Sequence, residues 1–174
     1  MNTEAVALLI SAISLALAGV SLGWQIAQWL LSAGRPKATL MHGMLQGGNA
    51  LVGPVTKTGK PFGLEGLVKQ GFGGQEVIGV QVTNHGRAAV TIESVSLCPR
   101  GGTMRFVPVD QRIGPDLPYL LEPGTNQGWY VPIDVGILLA QTSREAARES
   151  VTGVYMVAKL ATGREVSTPT TLRM

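Results

Sequence analysis

The chain has 174 residues, of which 45% are hydrophobic, 14% charged and 5% aromatic, with a formal net charge of +3. This composition excludes a disordered chain, and the single cysteine excludes a disulfide-stapled miniprotein. Glu4 is the one charged residue among the first 34, whereas residues 35–174 carry all 14 basic residues and 10 of the 11 acidic ones. We therefore predict a transmembrane anchor helix at 1–34 and a folded domain at 35–174.

Residues 5–31 contain no charged side chain. As a helix this segment would be about 40 Å long, more than the roughly 30 Å hydrocarbon core of a bilayer. Trp24 and Trp29 follow its most apolar part, and Arg35 and Lys37 come directly after it. Aromatic rings and basic residues are typical of the interface between membrane and water, so we predict that these four residues lie there.

A cleaved signal peptide is the alternative interpretation of this segment. Such a peptide needs a basic start and an apolar run of only about 7–15 residues. The chain begins Met-Asn-Thr-Glu, and its apolar run is longer. These features favour a retained anchor. Because basic residues flank only the C-terminal side of the helix, we expect the N-terminus outside and the domain in the cytoplasm.

Small residues recur along one face of this helix, at Ala12, Ala16, Gly19 and Gly23. Helices in lipid associate where small residues let their backbones approach closely, and Gly19 and Gly23 form a GxxxG pair. We predict this face as a self-association surface. The alternative is an ordinary membrane helix, in which Gly and Ala are common.

Beyond the helix, residues 38–46 predict a first strand. Residues 43–74 contain 10 glycines, which favours a long loop with at most a short hairpin near 51–55. Residues 76–83 and 88–97 alternate apolar and polar side chains around the turn residues of 84–87. This pattern predicts a β-hairpin with a bulge in its second strand.

The rest of the chain continues the pattern of short strands and turns. We expect Asp134 to cap one short helix whose apolar positions include Ile137 and Leu138. Pro132 near the end of a strand predicts a sheet edge. The further predicted elements are a strand at 103–109, a connection at 110–128, a strand at 127–133 and a closing hairpin at 151–160 and 164–168. Six or seven short strands favour a mainly β fold, a β-sandwich.

Two motifs carry a resemblance to a known family. Residues 80–86 read V-x-V-T-N-x-G, and residues 121–124 read L-E-P-G. With the alternating strand between them, they resemble bacterial immunoglobulin-like β-sandwich modules over about residues 76–168. The whole chain is similar to bacterial single-pass membrane proteins with an N-terminal anchor and one such domain. This resemblance implies an immunoglobulin-like sandwich and the bacterial cytoplasmic membrane.

The residues that usually carry catalysis or bind metals are sparse. His42, His85 and Cys98 form no zinc-binding spacing, and the carboxylates are scattered. Cys98 lies at the end of a predicted apolar strand, which favours a buried thiol. His85 lies in a predicted turn, which favours an exposed side chain. Residues 53–60 resemble a P-loop but have five residues between the glycines, and Pro61 stands where Ser or Thr is needed. We therefore predict no catalytic, cofactor or metal site.

Lys57, Lys60 and Lys69 lie in the glycine-rich segment. On a cytoplasmic domain they could hold the loop against an anionic leaflet or a partner there, and the alternative is a solvated loop with ordinary lysines. Nine aromatic residues and no basic helix argue against nucleic acid as a partner.

We expect a membrane-tethered, non-enzymatic module whose partners are the bilayer and another protein, with a homo-oligomer as one form of assembly. The alternatives are a membrane effector or sensor, whose domain binds a ligand and whose helix oligomerises, and an enzyme without recognisable motifs.

Overall fold

The computed structural model describes residues 2–174, with all side chains except those at 30 and 31. A long helix leads into a domain of two antiparallel sheets that share one core. The helices are α1 Thr3–Leu31, α2 Glu65–Lys69 and α3 Ile133–Glu145. The strands are β1 Pro36–Gln46, β2 Asn49–Pro54, β3 Gln75–Asn84, β4 Val90–Arg100, β5 Tyr119–Leu121, β6 Asn126–Pro132, β7 Gly153–Leu160, β8 Glu165–Ser167 and β9 Leu172–Arg173.

The first sheet has the order β2-β1-β3-β6, and the second has β5-β4-β7-β8 with β9 also paired to β7. Apolar residues of both sheets face each other, so the arrangement is sandwich-like. Trp129 lies fully buried between the sheets, and its indole Nε1 donates to the Pro115 carbonyl at 3.0 Å. The Tyr119 ring meets the Trp129 ring edge-on, with centroids 5.7 Å apart. These contacts attach the irregular segment before β5 to the core.

The predicted hairpin at 76–97 is wrong, although both of its strands exist. β3 pairs with β1 and β6 in one sheet, while β4 pairs with β5 and β7 in the other. The connection at 85–89 is five residues long and spans the gap of about 10 Å between facing sheets. Alternation identifies each strand but not the strands beside it. Because β1 and β6 occupy both edges of β3, β4 pairs in the other sheet. The predicted bulge is confirmed, because the β4–β7 register shifts between Ile92 and Ser94.

The glycine-rich segment is more ordered than expected. β1 continues to Gln46, and Gly47 and Gly48 turn the chain with φ of 58° and 81° into β2. Two consecutive positive φ angles define the tight hairpin turn that glycine favours. The predicted loop at 43–74 therefore shrinks to residues 55–74, which include the short helix α2.

The domain has two short helices where one was predicted, and α3 differs from its prediction. Pro132 occupies the N-cap position, so Asp134 lies in the first turn and makes no capping bond. Ile137 and Leu138 are 40% and 64% exposed. The helix packs on the sheets through Gly136, Ala140 and Ser143, because small residues allow a close approach.

The remaining predictions have mixed outcomes. β6 is an edge strand and β7 with β8 forms the closing hairpin, as expected. The strand predicted at 103–109 is wrong, because only Phe106 bridges to Leu97 there.

Replacing Leu97 tests the core. Leu97 is fully buried, so Leu97→Ala removes its contacts and leaves a cavity, and we expect a loss of about 2–5 kcal/mol in the free energy of unfolding. Leu120→Ala is the matched control, because Leu120 is 55% exposed. Denaturant titration of the full chain in detergent measures both. Equal losses from the two variants would contradict this assignment of the core.

Candidate functional site

Helix α1 lies outside the sandwich. Its span Thr3–Trp29 is long and apolar enough to cross a bilayer, and none of its most apolar stretch is buried by the rest of the chain. Leu8, Leu15 and Val20 are each 73–76% exposed. A core helix of a water-soluble domain would bury such residues, so this helix requires another apolar environment.

The predicted self-association face is open. A Cβ atom added at Gly19 or Gly23 would meet nothing within 4 Å, and Ala12 and Ala16 continue the same exposed face. The Ser11 hydroxyl donates its proton to the Ala7 carbonyl of its own helix at 2.9 Å, so toward a partner helix its oxygen can only accept. The face therefore offers close backbone approach.

The four residues predicted to lie at the membrane interface are exposed. Trp24 and Trp29 are 65% and 74% exposed on the last turns of α1. The helix ends at Leu31, and Arg35 and Lys37 are exposed where the chain enters β1. Burial by the domain therefore does not keep any of the four from a membrane, and their place at its interface stays a prediction.

Asn84 fastens the end of the helix to the sandwich. Its side chain is buried; Oδ1 accepts hydrogen bonds from the amides of Arg35 at 3.1 Å and Gly86 at 3.0 Å. Its Nδ2 donates to the carbonyls of Ala88 at 2.8 Å and Leu121 at 3.3 Å. The side-chain amide of Asn84 therefore links three segments: the linker after α1, the connection at 85–89 between the sheets, which we call the arch, and β5.

The backbone of Asn84 extends this network to the second sequence motif. The Asn84 amide donates to the Thr125 carbonyl at 2.9 Å, and the Asn84 carbonyl accepts from Gly124 at 2.8 Å. The two motifs at 80–86 and 121–124 therefore meet in space. A Cβ at Gly86 would lie 2.6 Å from the Gly34 Cα, so this close approach requires glycine.

We call the end of the sandwich that holds this network the helix-proximal end. It comprises the turns at 85–89, 122–125 and 161–164 together with the start of β1. Its exposed basic residues, which we name the basic collar, are Arg35, Lys37, Arg87 and Arg164. Glu122 is the one carboxylate within these turns.

The long loop lies at the opposite end. Leu45 pairs with Gln75, nine residues along β1 from Pro36, so the loop returns to the sheet about 30 Å from the helix-proximal end. Lys57, Lys60 and Lys69 therefore do not join the basic collar. β1 carries the chain away from α1, so these lysines lie apart from the basic collar, and contact of the loop with a membrane or a partner there stays a prediction.

His42 and Glu76 line a pocket of about 370 Å³ between β1, α3 and the C-terminal residues. His42 is buried, and its Nε2 lies 2.7 Å from a Glu76 carboxylate oxygen. Its Nδ1 has no hydrogen-bond partner and is shielded from solvent. The side chains lining this pocket include no Ser, Thr, Cys, Tyr or Lys, so the pair has no nucleophile beside it.

Two other carboxylates are engaged by neighbouring donors. The hydroxyls of Ser143 and Thr103 lower the pKa of Glu149, and the guanidinium of Arg105 lowers the pKa of Glu165. Both groups are thereby held as carboxylates: Glu149 joins the loop at Thr103 to α3, and Glu165 joins the loop at Arg105 to β8. A general acid needs the opposite shift.

Cys98 is buried, as expected, and His85 is exposed in the arch. Within residues 2–174, no three His, Cys, Asp or Glu side chains gather in a way that could hold a metal ion.

Comparison of the chain with protein-family models, with curated proteins and with solved structures finds no match. A role for the chain therefore follows from its residues and their geometry alone.

Replacing Asn84 tests the attachment of the linker. Asn84→Ala leaves buried amides and carbonyls without partners, so we expect a loss of about 2–4 kcal/mol in the free energy of unfolding. Hydrogen exchange at the amides of Arg35 and Gly86 should accelerate at the same time.

Asn126→Ala is the control, because Asn126 is exposed and its side chain bonds only Gln81 among the described side chains. Asn84→Asp should resemble Asn84→Ala, since it places an acceptor against the carbonyls of Ala88 and Leu121. Unchanged exchange at Arg35 in Asn84→Ala would contradict the proposed attachment.

Proposed function

We propose that this chain is a membrane-tethered, non-enzymatic protein-interaction or assembly module. The observation that supports it best is that α1 is apolar on every side and lies wholly outside the sandwich. A bilayer supplies the apolar environment that the domain does not. The resemblance stated above adds an immunoglobulin-like domain in the bacterial cytoplasmic membrane as the finer form of this proposal.

The basic collar supports the orientation. Arg35 and Lys37 follow the helix directly, and Arg87 and Arg164 lie at the same end of the sandwich. Basic residues next to a span stay on the cytoplasmic side, where anionic headgroups attract each one by roughly 1 kcal/mol. We therefore place the domain in the cytoplasm, with its helix-proximal end toward the leaflet.

The outer edge of β2 is the place for a protein partner. β2 pairs with β1 on one side, and within residues 2–174 no strand pairs with its other side. Its sequence Asn-Ala-Leu-Val-Gly-Pro carries no charge. Exposed edges without charges pair readily with an added strand, so an extended segment of another protein fits here.

Accessibility labelling tests the tether and its orientation. In intact cells a membrane-impermeant maleimide should label Thr3→Cys, whereas Lys69→Cys should react only after permeabilisation. Both positions are exposed, so burial by the domain does not protect either thiol.

The native Cys98 is buried and serves as the unlabelled background in the unmodified chain. Rapid labelling of Lys69→Cys in intact cells would reverse the orientation. Recovery of the full chain as a monomer in detergent-free buffer would refute the tether itself.

The second candidate is an effector or sensor that oligomerises through α1. The observation that favours it is the open space around Gly19 and Gly23. Larger side chains there would hold two backbones apart, so Gly19→Leu and Gly23→Leu should lower the yield of crosslinked dimer in membranes several-fold.

Leu17→Ala is the control for this experiment, because Leu17 lies on the other side of the helix from Gly19 and is 66% exposed. Equal crosslinking in all variants would exclude the small-residue face as the contact.

A further inference from the structure

A second cavity, of about 590 Å³, lies at the end of the sandwich away from α1. It is lined by Lys57, Thr58, Gly59, Arg100, Thr152, Pro169, Thr170, Thr171 and Arg173. Three of these side chains are cationic and none is acidic. Within residues 2–174, no carboxylate lies within salt-bridge distance of any of the three cations. Like charges around one cavity repel each other, so an anion bound between them would be stabilised.

Two contacts orient the guanidinium of Arg100 in this cavity. Its guanidinium carbon lies 4.4 Å from the centre of the Tyr155 ring, and its Nε donates to Thr171 Oγ1 at 3.0 Å. These two contacts fix the plane of the guanidinium while leaving the two terminal nitrogens available. A guanidinium oriented in this way matches two oxygens of a phosphate group.

The turn at 56–60 completes the cavity wall. The Thr56 hydroxyl accepts from the Lys60 amide at 3.0 Å, and the Thr56 carbonyl accepts from Gly59 at 2.9 Å. Gly59 has φ of 78°, and a Cβ there would lie 2.7 Å from the Thr171 carbonyl oxygen. Glycine therefore lets the turn dock on β9, where the Gly59 carbonyl accepts from the Arg173 amide at 3.2 Å. This docking brings Lys57 beside Arg100 and Arg173.

The lining also narrows the class of ligand. Threonine hydroxyls and cations dominate it, and no aromatic side chain faces the cavity to stack a base. The volume of about 590 Å³ lies within the roughly 300–1,000 Å³ that is typical of small-molecule sites. A small phosphate-bearing molecule with a polar remainder therefore suits the cavity better than a nucleic acid strand.

We infer that the cavity formed by Lys57, Arg100 and Arg173 binds the phosphate group of such a molecule. This role goes beyond the proposed tethering function and does not depend on the partner of β2. The phosphate comes either from a soluble compound or from a lipid headgroup, and the position of the cavity, far from α1, separates it from the tethering leaflet.

The test uses the full chain in nanodiscs of phosphatidylcholine, which carry no net anionic charge. Calorimetric titration with pyrophosphate and with glucose 6-phosphate, at low salt, should give saturable binding to one site per chain. Arg100→Gln, Arg173→Gln and Lys57→Gln should each weaken it about tenfold or more, because each removes a charge-assisted hydrogen bond to phosphate. Lys69→Gln and Arg164→Gln are matched controls outside the cavity and should leave the affinity unchanged.

The Lys57 ammonium makes no hydrogen bond or ion pair within residues 2–174, so Lys57→Gln should leave the fold intact. Weaker binding by this variant therefore reports the site and not a folding defect. Added vesicles of phosphatidylglycerol distinguish the source of the phosphate. If the vesicles compete with the soluble compounds and the competition depends on Arg100, the site binds a lipid headgroup; if they do not compete, it binds the soluble compound. Absence of saturable binding, or equal weakening by Lys69→Gln, overturns the inference. Loss of binding with an intact membrane tether would leave the proposed function standing.

Discussion

The structure depends on a helix that the rest of the chain does not cover. Burying one Leu, Ile or Phe side chain is worth about 1.5–3 kcal/mol, and α1 exposes such residues on all sides. A small domain is stable by only about 5–15 kcal/mol in total. Exposing these side chains to water would therefore cost more free energy than the folding of the sandwich provides. The helix thus decides in which environment the chain can reside.

Asn84 shows how the fold meets this constraint. A primary amide carries both an acceptor and two donors, and at this position each is used: Oδ1 binds the linker amide of Arg35, while Nδ2 binds carbonyls of the arch and of β5. A carboxylate would supply only acceptors, and a hydroxyl would supply one donor where the network uses two. The same residue therefore ends β3, directs the chain across to the second sheet and fixes the point where the helix joins. Gly34 and Gly86 complete the junction by allowing the two backbones to touch.

The sequence predicted those features that depend on local patterns and missed those that depend on partners. An uncharged run identified α1, and alternation located β3, β4, β6 and β7 within a few residues. The same alternation could not decide between a hairpin and an arch at 84–89, because pairing depends on which edges other strands occupy. Apolar content pointed to Ile137 and Leu138, whereas α3 packs through Gly136 and Ala140, since close approach outweighs side-chain size. Residues 53–60 failed as a P-loop, and no spacing rule links Lys57 to Arg100 and Arg173, which only the docking of a turn on β9 brings together.

The two charged ends of the sandwich act independently. Arg100 lies ten residues along β4 from Val90, about 30 Å from the basic collar, whereas charges in physiological salt are screened over about 8 Å. Neutralising the collar on a leaflet therefore leaves the field in the distant cavity unchanged, and an anion bound in the cavity does not weaken the attraction of the collar to headgroups. The length of two strands thus separates the surface that we propose faces the leaflet from the proposed anion site. A tether that shared its cations with a ligand site would lose one function whenever the other was engaged, and this geometry avoids that competition.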